Sequence, residues 1–293
     1  MRDFVEQVVS GLAAGGIYAS LALALVLIYS AMGLVNFAQG EFAMFATFIC
    51  WTLLVSLHLP YALAFVISVA AAFGGAMAIE RVIIRPFERG SQLSVVIVTL
   101  ALLAIVNSMA GAIWTYVPKP FPSPFPTKPI ELGGLLFSIL DMSVIGVSVV
   151  VLALMYLLFN YTKLGLAMRA AALYPEVAEL LGVRTGVMLG LGWGLASSVG
   201  AVSGILVAPN LFLEPNMMQG VIIYAFAAAV LGGIDSPLGA VVGGLLLGVT
   251  LALIGAYIPV LADLRLAITL GLIVLVLVVR PSGLFGRHQV RRV

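Results

Sequence analysis

The sequence predicts an all-α polytopic membrane protein of about eight or nine transmembrane helices, with an inverted repeat and two short charged helices on one face. Three observations lead there. Of 293 residues, 63% are hydrophobic and only 9% charged, where a soluble domain carries about a quarter charged residues. Mean hydropathy is +1.22. Apolar runs of about twenty residues recur, each long enough to cross about 30 Å of hydrocarbon. The basic residues, finally, gather in a few of the intervening loops rather than in all of them.

The first run, residues 8–29, is too long for the apolar region of a cleaved signal, and Arg2 is followed by Asp3 and Glu6 rather than by more positive charge. It reads as a retained span. Further crossings are expected at 38–57, 60–81, 92–114, 138–160, 186–208, 218–233, 237–257 and 264–280, with 38–57 and 218–233 the least certain to cross fully. Arg81, Arg85 and Arg89 fall in one loop, Lys163, Arg169 and Arg184 in another, and Arg280, Arg287, Arg291 and Arg292 in the tail. An odd number of spans puts these clusters on one side, the cytoplasm, leaving the N-terminus outside and the C-terminus inside. Lys119, Lys128 and Arg265 lie opposite. The outer loop 117–134 holds six of the fourteen prolines and favours a stiff polyproline path that needs no paired strand.

Two stretches match. Asn36-Phe-Ala-Gln39-Gly40 precedes the second span, and Asn216-Met-Met-Gln219-Gly220 precedes the seventh. The expected topology places the first at the cytoplasmic face and the second at the outer face. The chain is thus a single membrane domain, residues 1–293, whose halves, about 8–114 and 186–280, repeat in opposite orientation. Polar, interrupted helices at matching positions of inverted halves point to a solute pathway. Asn36, Gln39, Glu41, Asn216 and Gln219 are its candidate lining. A charge inside the bilayer is costly and defaults to a functional role. Glu41, however, opens a helix, where the dipole also favours it. Capping and pathway lining stand level. Asn107, in mid-span, reads as helix–helix glue.

Residues 162–185 break the apolar pattern with three basic and two acidic residues. They read as two short helices. Leu164, Met168 and Ala171 share a face of the first. Pro175 suits the first position of the second, Glu176 and Glu179 its positive end, and Gly182 its stop. Val177, Leu180 and Leu181 form an apolar stripe. Each piece is about two turns and too short to stand alone, so it lies on the membrane or docks on a partner.

Gly165-x-x-x-Arg169-Ala170 followed by Pro175-Glu176-x-Ala178-x-x-Leu181-Gly182 resembles the coupling segment of ABC importer permeases. NFAQGE at 36–41, AAAVLGGIDSPLGAVVGG at 227–244 and RPSGLFG at 280–286 resemble the branched-chain amino acid permeases of LivH/LivM type, closer to LivH, over nearly the whole chain. The Glu-Ala-Ala of other importer permeases is replaced here by Arg169-Ala170-Ala171. The resemblance implies a multi-pass subunit of a bacterial-type inner membrane that pairs with a second, LivM-like permease. It also implies two ATPase subunits docked at 165–182, Glu179 among the contacts, and a binding protein outside. The implied solute is a branched-chain or other hydrophobic amino acid, with urea or short amides as the alternative.

The residues themselves argue for dependence on partners. None of the three lysines follows a glycine-rich phosphate-cradling run, so ATP would be used by another chain. The chain reads as no enzyme and as needing no cofactor or metal: one cysteine and two histidines build no ligand cluster, and no mid-span histidine or aspartate pair serves a hydrolase. A nucleic-acid role has no support. A carrier working alone would want ionisable groups deep in the spans, and Glu41 is the single candidate.

Overall fold

A computed structural model of the chain describes residues 2–87, 91–126, 129–132 and 135–286. Arg89, Lys128, Arg287, His288, Arg291 and Arg292 lie outside these. Helices α1 (Arg2–Met32), α2 (Gln39–Val55), α3 (Tyr61–Ile79), α4 (Gln92–Trp114) and α5 (Ile139–Tyr161) precede the charged segment, which forms α6 (Lys163–Leu173) and α7 (Pro175–Leu180). There follow α8 (Thr185–Leu211), α9 (Met218–Gly232), α10 (Pro237–Tyr257), the single turn α11 (Pro259–Ala262) and α12 (Arg265–Val279). The fold is all-α and polytopic. Each expected span is met by an apolar helix. Six are long enough to cross a membrane, and α2, α9 and α12 are shorter.

The proline-rich loop after α4 differs from expectation. Lys119, flanked by prolines, keeps an N–H, and its backbone pairs with Leu213 in both directions at 2.9 and 2.8 Å. Strands β1 (Ile130–Leu132) and β2 (Leu135–Phe137) then form an antiparallel hairpin.

The chain divides into two compact units, each drawing on both halves of the sequence. One contains Met1–Val26, Phe125–Val150 and Gly220–Val293. In it α1 and α10 meet backbone to backbone: a Cβ on Gly248 would lie 2.3 Å from Gly15 Cα, and one on Gly244 would lie 2.5 Å from Ala19 Cα. Ala22, Ala228, Ala240, Leu247 and Ile273 fill the core beside this seam. Ser236 caps α10 by accepting from Gly239 N at 3.1 Å. The final turn, 280–286, bonds back to the end of α9 through Leu284 N to Leu231 O and Phe285 N to Gly232 O, both 2.9 Å.

The other unit contains Leu27–Pro124 and Val151–Gln219. Its axis is α8, which packs against α2, α3 and α6. Glycines clear the contacts. A Cβ on Gly194 would meet the Phe73 ring at 2.8 Å, and one on Gly204 would meet Thr47 Oγ1 at 2.5 Å. Close backbone approach is how helices associate where lipid offers no hydrophobic drive. The central stretches of α1 and α8 are each 83% buried, against 17–39% for the other four long spans.

Candidate functional site

Helix α2 begins within the span rather than at its face. Gln39 Nε2 donates to the Ala196 carbonyl at 2.8 Å, and Ala196 lies about 16 Å along α8 from its first residue. Further on, α2 reaches Gly204 through Thr47, and Trp114 Nε1 near the end of α4 donates to Thr52 Oγ1 at 2.8 Å. The helix therefore runs beside α8 and α4, in their direction, from their middle outward. Its 17 residues reach only about 26 Å. The expectation that Asn36 lies at a membrane face is corrected: α1 ends at Met32, whose Sδ accepts from Trp193 Nε1 at 3.2 Å, so the chain already turns inside the span.

Backbone freed at such depth must be satisfied by the protein. Asn36 Oδ1 accepts from Ala38 N at 3.0 Å, and its Nδ2 donates to Gln39 Oε1 at 3.3 Å. Both side chains are buried. Asn36 and Gln39 brace the junction.

Glu41, one turn on, is 3% exposed. Asn107 on α4 points its Nδ2 at three acceptors: Glu41 Oε2 at 3.2 Å, Pro215 O at 3.0 Å and Asn216 Oδ1 at 3.2 Å. Gln219 Nε2 donates to Asn216 Oδ1 at 3.0 Å. Tyr116 OH donates to Asn107 Oδ1 at 3.2 Å, its ring occupying the space left by Gly111. Glu41, which directly follows the first N-x-x-Q-G copy, and Asn216 of the second thus share one amide. Glu41, Asn216 and Gln219 come together there, and Asn36 and Gln39 do not. Asn107, taken as glue from sequence, is the hub. Its signal was a lone amide amid the apolar run of α4.

In the charged segment, Thr162 Oγ1 accepts from Gly165 N at 3.0 Å and caps α6. Gly165 fits where a Cβ would lie 2.3 Å from Leu158 O, allowing the tight turn out of α5. Pro175 opens α7. Gly182, at φ +83°, ends it in the left-handed region, its N–H bonded to Glu179 O at 2.9 Å. Met168 and Ala178 are buried, while Arg169 and Glu176 are exposed and Ala170 half-buried. Of the expected faces, Met168 turns inward but Leu164 is exposed, and the whole stripe of Val177, Leu180 and Leu181 is uncovered. Glu179 accepts from Thr185 Oγ1 at 2.5 Å.

Beside this turn lies an ion pair that sequence reading missed. Residues Glu80–Ile84 form a π turn at the end of α3. Arg85 grips the fully buried Glu80 with two bonds, Nε to Oε1 at 3.0 Å and Nη2 to Oε2 at 2.7 Å, and also donates to Gly186 O on α8. Gly186 and Gly190 leave the room: a Cβ on Gly190 would sit 2.9 Å from Glu80 Oε2. Arg85, Glu179, Gly182 and Thr185 line an open groove there.

Apolar helices bundled by glycine contacts, with interrupted ends and polar groups gathered at depth, define a polytopic α-helical membrane protein of the permease kind. The chain belongs to the family described as Branched-chain amino acid transport system / permease component, which matches residues 7–277. It is similar to the high-affinity branched-chain amino acid transport system permease protein BraD of Pseudomonas aeruginosa, 32% identical over 99% of this chain and 98% of that one. LivH of Salmonella typhimurium, of the same description, is 31% identical, and LivH of Escherichia coli 29%, both over 99% and 98%. Among solved structures, PsaBC from Streptococcus pneumoniae in complex with Fab has a TM-score of 0.51 over 94% of this chain and 91% of that chain, at 15% identity. That last likeness is one of fold.

Proposed function

We propose that this chain is a membrane-spanning subunit of an ABC importer for branched-chain or other hydrophobic amino acids. It works by alternating access beside a second permease, with a binding protein outside and two ATPases docked on α6 and α7 from the cytoplasm. The observation that carries the reading is the uncovered apolar end of α7, where Leu180 is 87% and Leu181 79% exposed. A six-residue helix has no independent stability, and an apolar surface held out this way fits a cleft in a partner. The charge asymmetry of the loops supports the cytoplasmic side. The interleaving of the two units supports the inverted repeat: α1 joins α9, α10 and α12, and α8 joins α2, α3 and α4.

The test is copurification from mild detergent, comparing the parent with a Leu180→Asp/Leu181→Asp variant. The parent should bring an ATPase and a second permease, and the variant should lose the ATPase while keeping the permease and its own melting temperature. An ATPase retained undiminished by the variant would sink the docking assignment. No ATPase with the parent would sink the importer reading itself.

A further inference from the structure

At the Nδ2 of Asn107 the oxygens outnumber the hydrogens. An amide nitrogen has two hydrogens, and Nδ2 of Asn107 faces three oxygens at 3.0–3.2 Å. The Glu41 carboxylate accepts only one of these, at 3.2 Å, where a charge-assisted bond would run about 2.7–2.9 Å. Among the described residues the ion pair is Arg85 with Glu80, and no cation answers Glu41. Burying a carboxylate so weakly held is costly. The cluster is also open on one side: Glu41 is its floor, while Asn216, Gln219 and Tyr116 are exposed at its rim. Phe45, one turn beyond Glu41, stands edge-on to Trp114 at 5.2 Å and extends an apolar wall from the polar end.

We propose that Glu41, Asn107 and Asn216 form a seat for the ammonium group of a zwitterionic solute. An ammonium brings three N–H donors and one positive charge to a buried carboxylate that accepts one hydrogen bond and has no cation among the described residues. Glu41 and the oxygens of Asn216 and Pro215 receive the donors, and the solute's aliphatic side chain lies along Phe45 and Trp114. The identification of that solute as an amino acid rests on the importer reading. The buried carboxylate without a cation does not.

The experiment titrates the purified permease complex, without binding protein, with leucine and with 2-hydroxy-4-methylpentanoate, which has the same skeleton with a hydroxyl in place of the ammonium. The readouts are melting temperature and calorimetry at millimolar ligand. Leucine should bind the parent and the hydroxy acid should not. Glu41→Gln should weaken leucine by about tenfold or more, and Glu41→Asp should restore part of that. Asn216→Ala, a change on the exposed rim, provides the same test should Glu41→Gln not assemble. Equal binding of both ligands, parent-like leucine binding by both Glu41→Gln and Asn216→Ala, or no response of the parent would each overturn the seat. Uptake by the same complex with its binding protein, in proteoliposomes, separates the two ideas. A complex that pumps leucine but does not discriminate loses only the seat. One that discriminates but does not pump keeps the seat and loses the importer reading.

Discussion

In the unit that holds α10, helices touch through glycine: Gly11, Gly15, Gly244 and Gly248 let α1 and α10 meet with no side chain between them. In the unit that holds α8, glycines clear space too, but polar groups occupy part of it. Gly190 faces the Glu80 carboxylate and Gly200 the Gln39 amide. The first arrangement gains from close packing and leaves no room for a Cβ. The second depends on every polar group having a partner, because an unpaired one at low dielectric is expensive. It is also where one amide, that of Asn107, gathers three acceptors.

Four substitutions sharpen or break this contrast. The largest effect is expected from Arg85→Ala, which strands the buried Glu80 charge and should cost about 3–5 kcal/mol. Replacing both residues with apolar ones should recover much of it, and thermal unfolding in detergent reads both variants. A recovery of nothing would mean that the bond from Arg85 to Gly186, rather than the charge, matters. Next comes Gly248→Val, which drives a side chain into the Gly15 backbone and should cost about 1–3 kcal/mol, seen as lost monodisperse protein. Gln39→Leu should cost about 1 kcal/mol, since hydrogen bonds between spans are modest in lipid. Parent-like melting of that variant would show the junction at 33–38 to be held by packing alone. The smallest is Gly74→Ala, whose Cβ meets open space and should change stability by under about 0.5 kcal/mol. A large loss there would undo the geometric argument for the other glycines.

The positions of the helices were legible because each span is a continuous apolar run, and length alone sets where a run ends. The charged pair of helices was legible from Pro175, Gly182 and the spacing of their apolar residues. Depth was not. Nothing in NFAQGE says that Gln39 bonds to a carbonyl 157 residues away, so the motif was placed at a face. Glu80 escaped for the same reason, and Asn107 was read as glue without its partners: both depend on contacts that hydropathy and spacing do not record. Periodicity found the stripe of Val177, Leu180 and Leu181 but could not tell which way it faces.

The π turn at 80–84 has a consequence for how such chains vary in length. A π turn closes on the fifth residue rather than the fourth, so it holds one residue more than the helix around it needs. Deleting Val82, whose side chain is 70% exposed, would return the segment to ordinary α register, with Arg85 four residues after Glu80 instead of five and still one turn beyond it. Arg85 would then still face Glu80. A homologue lacking that one residue should therefore still carry the Glu–Arg pair and the small residues at the positions of Gly186 and Gly190, so the indel and the ion pair should be inherited independently.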